Sequence, residues 1–310
     1  MQEKKGCTTK SFSTAYIYLL ITFVLWGSLY VVSKYVLGNL PTFTISFCRF
    51  LLAYLFLTLV DRLTGKNSSG GKKKKLDPGH FRYVVLIGFG GYFIAVGAQL
   101  LGTKYAGAST ASLLNSMNPV TMALFGAILL GEKLTVRKVI GLALSIAGVF
   151  AVLGGGFEGA GLSGVFLSLF SVLFWSYISV MTRKITQEYE PLYISRLACW
   201  VAAVCYLPVA IGEVAITKAP VLQTLGSDPS CTLSLLYMGV ICTGVAYTLW
   251  NKSLSVLDAG VCSAFYPIQP AVSTLLGILL LGESITTGFV IGSVLIVCGV
   301  LISLIHSKKE

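Results

Sequence analysis

The chain has 310 residues, 55% of them hydrophobic and 11% charged, with a mean hydropathy of +0.83. That composition excludes a soluble domain of this size and describes an all-α integral membrane protein whose surroundings are a lipid bilayer. The net charge of +11 sits in loops and at chain ends, where it reads as membrane topology and not as a nucleic-acid surface.

A helix needs about 20 apolar residues to cross about 30 Å of hydrocarbon. Ten such spans are predicted, at residues 15–36, 42–60, 83–103, 107–130, 138–154, 161–184, 192–212, 232–250, 260–281 and 288–305. Residues 1–14 form a cytoplasmic N-terminus. No small-residue cleavage site precedes Tyr16, so the first span reads as an uncleaved signal-anchor. Between the second and third spans lies a Lys-rich cytoplasmic loop, residues 62–82, whose polar run from Lys66 to His80 is expected to be flexible and to act as a topology signal. Residues 307–310 are a cytoplasmic tail. Six of the eight cysteines fall inside apolar spans, and neither they nor the two histidines (His80, His306) show metal-ligand spacing. No metal, cofactor or disulfide framework is therefore expected.

The chain is written twice. Sliding Pro119–Val149 by 151 positions lays it on Pro270–Val300 with about 14 identities in about 31 positions, Gly131-Glu132 falling on Gly282-Glu283. This divides the chain into a first repeat, 15–156, and a second, 157–306. With a cytoplasmic N-terminus, 18 Lys and Arg fall inside and three, Lys34, Lys104 and Lys218, outside, so both termini are cytoplasmic. Five spans per repeat, an odd number, require the second to enter the membrane upside down. The paired links agree, KLTVRK being basic while its counterpart SITTG has no Lys or Arg. Inverted repeats of this kind build two access states around a midplane site.

Several motifs carry a family resemblance. Trp26-Gly27-Ser28, Lys34, Pro41 and Arg49-Phe50-Leu51-Leu52-Ala53 resemble the opening helices of EamA-type transporters of the drug/metabolite transporter superfamily. Ala106–Gly148, with Pro119 and Gly131-Glu132, is similar to the close of the first EamA domain. Gly161-Leu162-Ser163-Gly164 through Trp175-Ser176-Tyr177, and later Pro270, Gly282-Glu283 and Gly292, are similar to the second. The resemblance implies ten transmembrane helices in two inverted five-helix EamA repeats, a small-molecule substrate and a bacterial plasma (inner) membrane. It implies a transporter without naming a cargo. One departure stands out: Arg196 follows Pro191 by five residues whereas Arg49 follows Pro41 by eight, so only Arg49 is carried into the candidate site.

Pro119 and Pro270 fall mid-span, each removing a helix hydrogen bond and freeing the carbonyl four residues earlier, at Asn115 and Tyr266. In hydrocarbon such a carbonyl must meet a neighbour or line a polar cavity. Asn115, Ser116 and Asn118, with Tyr266 and Gln269, are the densest polar cluster at membrane depth. They read as cavity lining, or alternatively as interhelical hydrogen bonding. Trp26 and Tyr30 share a helix face, and Trp175 is their counterpart 149 positions on. These three read as walls that stack on a ring or cradle a cation, against the alternative of plain packing. Tyr92, Gln99, Tyr177, Tyr247 and Trp250 are further candidates.

Arg49 lies inside the second span and needs a partner, either a substrate carboxylate or helix-end carbonyls. Arg196, nearer an end, is expected to snorkel. Glu132 and Glu283 are expected to meet a helix N-terminus or a neighbouring Lys. The other acidic residues also map to ends or loops, which disfavours proton coupling through a buried acid. The Gly141/Gly148 and Gly292/Gly299 stripes read as packing, with an oligomer contact as the alternative. Gly88, Gly90, Gly91 and Gly97 read as points of flexibility. No catalytic constellation occurs at depth, so an enzyme is not expected. The function expected is export of an amino acid or related metabolite by alternating access. The alternative is a transporter of a quaternary amine such as choline, held in an aromatic cage.

Overall fold

The computed structural model describes residues 3–64, 76–130, 136–154, 161–257, 259–263, 265–283 and 285–304. Among these, all regular structure is helical. The chain runs through α1 (Glu3–Leu37), α2 (Thr42–Thr64), α3 (Phe81–Val85), α4 (Val96–Ala106), α5 (Ala108–Asn115), α6 (Asn118–Leu130), α7 (Val136–Gly154) and α8 (Leu162–Glu188). It continues through α9 (Pro191–Thr217), α10 (Val221–Ser227), α11 (Pro229–Leu236), α12 (Ala246–Leu254), α13 (Ala259–Ser263), α14 (Ile268–Leu281) and α15 (Thr287–Leu304). Two π-helical stretches, Leu86–Ala95 and Tyr237–Val245, join α3 to α4 and α11 to α12.

Seven helical segments among the described residues are long and apolar enough to cross a membrane: Ser13–Leu37, Thr42–Leu63, Pro78–Ala106, Leu162–Glu188, Pro191–Thr217, Pro229–Leu254 and Val261–Leu281. Val139–Ala151 and Thr287–Ile302 are shorter apolar helices. Large apolar side chains such as Leu59, Phe150, Phe166, Ile211 and Leu279 are exposed. This outward display is what a hydrocarbon solvent favours and water does not.

The duplication is visible in the packing. The second π stretch begins 151 residues after the first, and each places a glycine against the same spot on a partner helix. A Cβ on Gly88 would stand 2.6 Å from Val201 Cβ and 2.7 Å from the Ala198 carbonyl oxygen. A Cβ on Gly239 would stand 2.7 Å from Leu52 Cβ and 3.0 Å from the Arg49 carbonyl oxygen. These glycines, with Gly91 on Ile178 and Gly97 on the Tyr206 hydroxyl, serve close helix approach, in place of the flexibility expected of Gly88, Gly91 and Gly97. The Gly141/Gly148 and Gly292/Gly299 stripes likewise pack α7 on α15. A Cβ on Gly148 would lie 2.9 Å from the Gly292 carbonyl oxygen, and one on Gly299 would lie 2.6 Å from that of Gly141. Hydroxyls repeat the pattern: Thr22 donates to the Ala246 carbonyl (3.4 Å) and Ser171 to that of Ala95 (2.8 Å).

Helix ends are closed by carboxylates from the other repeat. Glu213 of α9 accepts from the backbone N–H groups of Phe43 (2.8 Å) and Thr44 (2.9 Å) at the start of α2. Glu283 accepts from the N–H groups of Ala108 (2.9 Å) and Ser109 (3.2 Å), and from the Ser109 hydroxyl, at the start of α5. Both satisfy donors that the helix itself leaves open, and both set negative charge at a positive helix end. The helix-terminus expectation for Glu283 is met, while Glu132 lies outside the described residues. Arg196 does not simply snorkel: it pairs with Asp61 at 3.1 Å, because α9 packs along α2 and brings the two side chains together. Of the loop expected to be flexible, residues 65–75 lie outside the described residues. Its end is docked, with Tyr189 donating to Asp77 Oδ2 (3.0 Å) and His80 Nδ1 2.9 Å from the Tyr189 hydroxyl.

Candidate functional site

Both prolines break their helices where expected. Ser116 and Met117 form a turn between α5 and α6, and residues 265–267 form one between α13 and α14. The carbonyl that Pro119 frees, at Asn115, accepts from Asn118 Nδ2 at 2.6 Å; the Tyr266 carbonyl accepts from the backbone N–H of Gln269 at 3.0 Å. The polar side chains of each break are therefore held at the level of the turn.

Five of the eight candidate residues, Trp26, Asn115, Trp175, Tyr266 and Gln269, line one small cavity between the repeats. Gln99, Ser171 and Tyr247 join them, with Leu29 and Val96 as apolar patches. The space is about 20 Å³, enough for about one ordered water and far below the few hundred Å³ of a metabolite pocket. A metabolite fits only once the helices part. The walls are aromatic: the Trp26 ring meets Trp175 edge-on at 5.8 Å and Tyr247 at 5.3 Å, and Trp175 lies 5.6 Å from Tyr247. Among the described residues, no Asp or Glu lines it.

Several lining donors are engaged within the protein. Trp26 Nε1 donates to the Cys242 carbonyl (3.2 Å) and Trp175 Nε1 to the Tyr266 hydroxyl (2.6 Å). Gln99 Nε2 (2.5 Å) and Asn115 Nδ2 both donate to the Tyr30 hydroxyl. Tyr30 is thus a buried post behind the wall and not part of its surface. Asn118 also stands back. Its Nδ2 donates to Asn115 Oδ1 (2.6 Å), its Oδ1 accepts from the Ser176 hydroxyl (2.8 Å), and Ser176 lies 2.5 Å from the Thr121 hydroxyl.

Arg49 is 2% exposed and lies behind Tyr247. Its Nε donates to Thr243 Oγ1 (2.5 Å) and its Nη2 to the Tyr247 hydroxyl (3.3 Å), with the guanidinium carbon 5.8 Å from the Tyr247 ring centre. Its partners here are neither a carboxylate nor helix-end carbonyls but hydroxyls and a ring face, a combination that spreads a buried charge over several weak acceptors. The packing of Gly88 and Gly239 makes Ala198 the counterpart of Arg49, so the charge belongs to one repeat only.

Val96 and Ser171 were not singled out from sequence, and Tyr247 only as a further candidate. The repeat register held a signal for them: Val96 and Tyr247 are 151 apart, as are Asn115 and Tyr266, and both members of each pair line the cavity.

The EamA-like transporter family description matches this chain at residues 13–154 and 162–305. An uncharacterized transporter of Clostridium kluyveri is 26% identical over 95% of this chain and 94% of its own. A protein of Salmonella typhimurium named "Probable amino-acid metabolite efflux pump" is 29% identical over 92% of each. A solved crystal structure aligns with 94% of this chain and 96% of its own at a TM-score of 0.66 and 21% identity, a likeness of fold alone.

Proposed function

The chain belongs to the EamA-like transporter family, and from that premise we propose that it moves a small amino-acid-like metabolite outward across a bacterial inner membrane by alternating access. In this reading it crosses the membrane ten times as two inverted five-helix repeats, with both termini cytoplasmic. Contacts at the helix ends support the alternation. Glu213 with Thr44, Glu283 with Ser109, and Lys34 with the Lys104 carbonyl (2.9 Å) join positions expected outside. Arg196 with Asp61, and the Ser253 hydroxyl with the Ala15 carbonyl (3.1 Å), join positions expected inside.

One observation carries the proposal: the cavity lies at two proline-broken helices and is walled by equivalent positions of both repeats. A site on the pseudo-symmetry axis is reached from either side by rocking one repeat against the other. Arg49 supports the amino-acid reading, since its guanidinium donates to the hydroxyl of Tyr247, a residue of the cavity wall, and so biases the site toward a carboxylate. The name of the Salmonella relative points the same way. Trp26, Trp175 and Tyr247 favour the second reading, a quaternary amine against aromatic faces. Among the described residues that line the cavity, that reading finds no carboxylate to balance the cation near Arg49.

Thermal-shift measurements on the detergent-purified chain against amino acids, choline-like amines, nucleobases and sugars test this, because a ligand of the native state raises apparent Tm by mass action. Amino acids are expected to raise Tm, with the shift lost in Arg49→Gln. A shift with choline alone, surviving Arg49→Gln and lost in Trp26→Ala, would replace this reading with the second.

A further inference from the structure

Among the residues lining the cavity, Gln269 holds an anomaly. It is 1% exposed, and its Oε1 has no hydrogen-bond partner. An unpaired carbonyl oxygen in a low-dielectric interior is costly, and native proteins keep few of them.

Its counterpart 151 positions earlier, Asn118, shows how the oxygen is satisfied in the first repeat. There the Ser176 hydroxyl donates to Asn118 Oδ1, with Thr121 beside it. At the second break the positions of Ser176 and Thr121 are taken by Gly27, from the first repeat, and Val272, and neither carries a hydroxyl. Gly27 has no room for one: a Cβ there would stand 2.7 Å from Val272 Cβ and 2.9 Å from the Gln269 carbonyl oxygen. The close approach of α1 and α14 therefore withholds from Gln269 the partner that Asn118 enjoys. Of the other lining groups, Gln99, Asn115, Trp175, Trp26 and Ser171 donate elsewhere, to Tyr30, Tyr266, Cys242 and Ala95.

We infer that Gln269 recognises the substrate's N–H group, so that the transported solute is an amine with at least one N–H and trimethylated amines are excluded. The inference rests on the amino-acid reading above and narrows it. Rings such as Trp26 and Trp175 attract any organic cation, methylated or not. A carbonyl oxygen distinguishes them, since a protonated primary amine brings three N–H donors and a quaternary ammonium brings none.

The test compares leucine and phenylalanine with their N,N,N-trimethyl derivatives, by thermal shift and by titration calorimetry on the full-length protein in detergent. The parent amino acids are expected to bind about 10- to 100-fold more tightly, the value of one hydrogen bond to a charged donor. Gln269→Met is expected to bring the two series to within about threefold of each other. Gln269→Glu, which keeps an acceptor at the same place, is expected to preserve the preference and to control for loss of fold. Equal binding of parent and trimethyl compounds by the wild type overturns the inference and leaves the amino-acid reading standing. A preference that persists in Gln269→Met, or one lost in Gln269→Glu, also overturns it. Binding of neither series overturns the amino-acid reading and this inference together.

Discussion

The break between α5 and α6 and the break between α13 and α14 share a backbone plan and differ in side-chain economy. In the first, Asn115, Asn118, Ser176 and Thr121 close on one another, and the turn is internally complete. In the second, the Tyr266 hydroxyl takes the Trp175 N–H and Gln269 keeps an unpaired oxygen. The duplication has preserved what a helix bundle needs, namely close glycine contacts and hydroxyl-to-carbonyl bonds between repeats. It has relaxed at the cavity, and in the proposed reading this suits an asymmetric solute, since a substrate with distinct ends gains nothing from two identical walls.

The widest effect is expected where the repeats agree. Gly88→Ala and Gly239→Ala each force a Cβ into a neighbouring side chain and backbone carbonyl, and each should lower stability by about 3 kcal/mol. Denaturation in mixed micelles measures both, and a harmless substitution at one site alone would break the packing symmetry. Next comes a place where the repeats disagree. Arg49→Gln should cost a carboxylate ligand about 2 kcal/mol in binding, through loss of the charged donor that holds Tyr247. Calorimetry reads this directly, and the reciprocal Ala198→Arg is expected to fold poorly without restoring it. Ser176→Ala leaves Asn118 Oδ1 without its donor and should lower stability by about 1–2 kcal/mol; the matched change at residue 27 has no hydroxyl to remove. Smallest are Glu283→Gln and Glu213→Gln, each expected to lower Tm by the equivalent of about 1 kcal/mol, because the amide still accepts at the helix end but the charge is gone. Unequal losses would show that the repeats lean on these caps differently.

Much of the scaffold was legible because hydrocarbon imposes a one-dimensional rule. Apolar length marks the helical segments, proline marks the breaks at Asn115 and Tyr266, and Glu283 was readable as a helix-end group. Partner choice was not legible. Arg49 reaches Thr243 and Tyr247 nearly two hundred residues away, and Arg196 reaches Asp61 across α9 and α2; periodicity says nothing about such pairs. The π-helical stretches also escaped, since the glycines of the first, at 88, 90 and 91, read equally well as flexibility. Tyr30 was read as wall and proved to be the post behind it, because one helix face says which way a side chain points and not what stands in front of it. Tyr247 and Val96 could have been found by applying the 151-residue register to the third and eighth spans as well as to the fourth and ninth.

Gly27 has a consequence for the history open to this protein. Because any side chain there meets Val272 and the Gln269 backbone, the second break cannot acquire the side-chain set of the first through single changes. Serine at 27 is blocked until α14 has moved, and asparagine at 269 gains no partner until serine is present. The three positions form an epistatic lock. Residue 269 can be exchanged alone, but the two breaks cannot be brought to the same set of side chains one codon at a time.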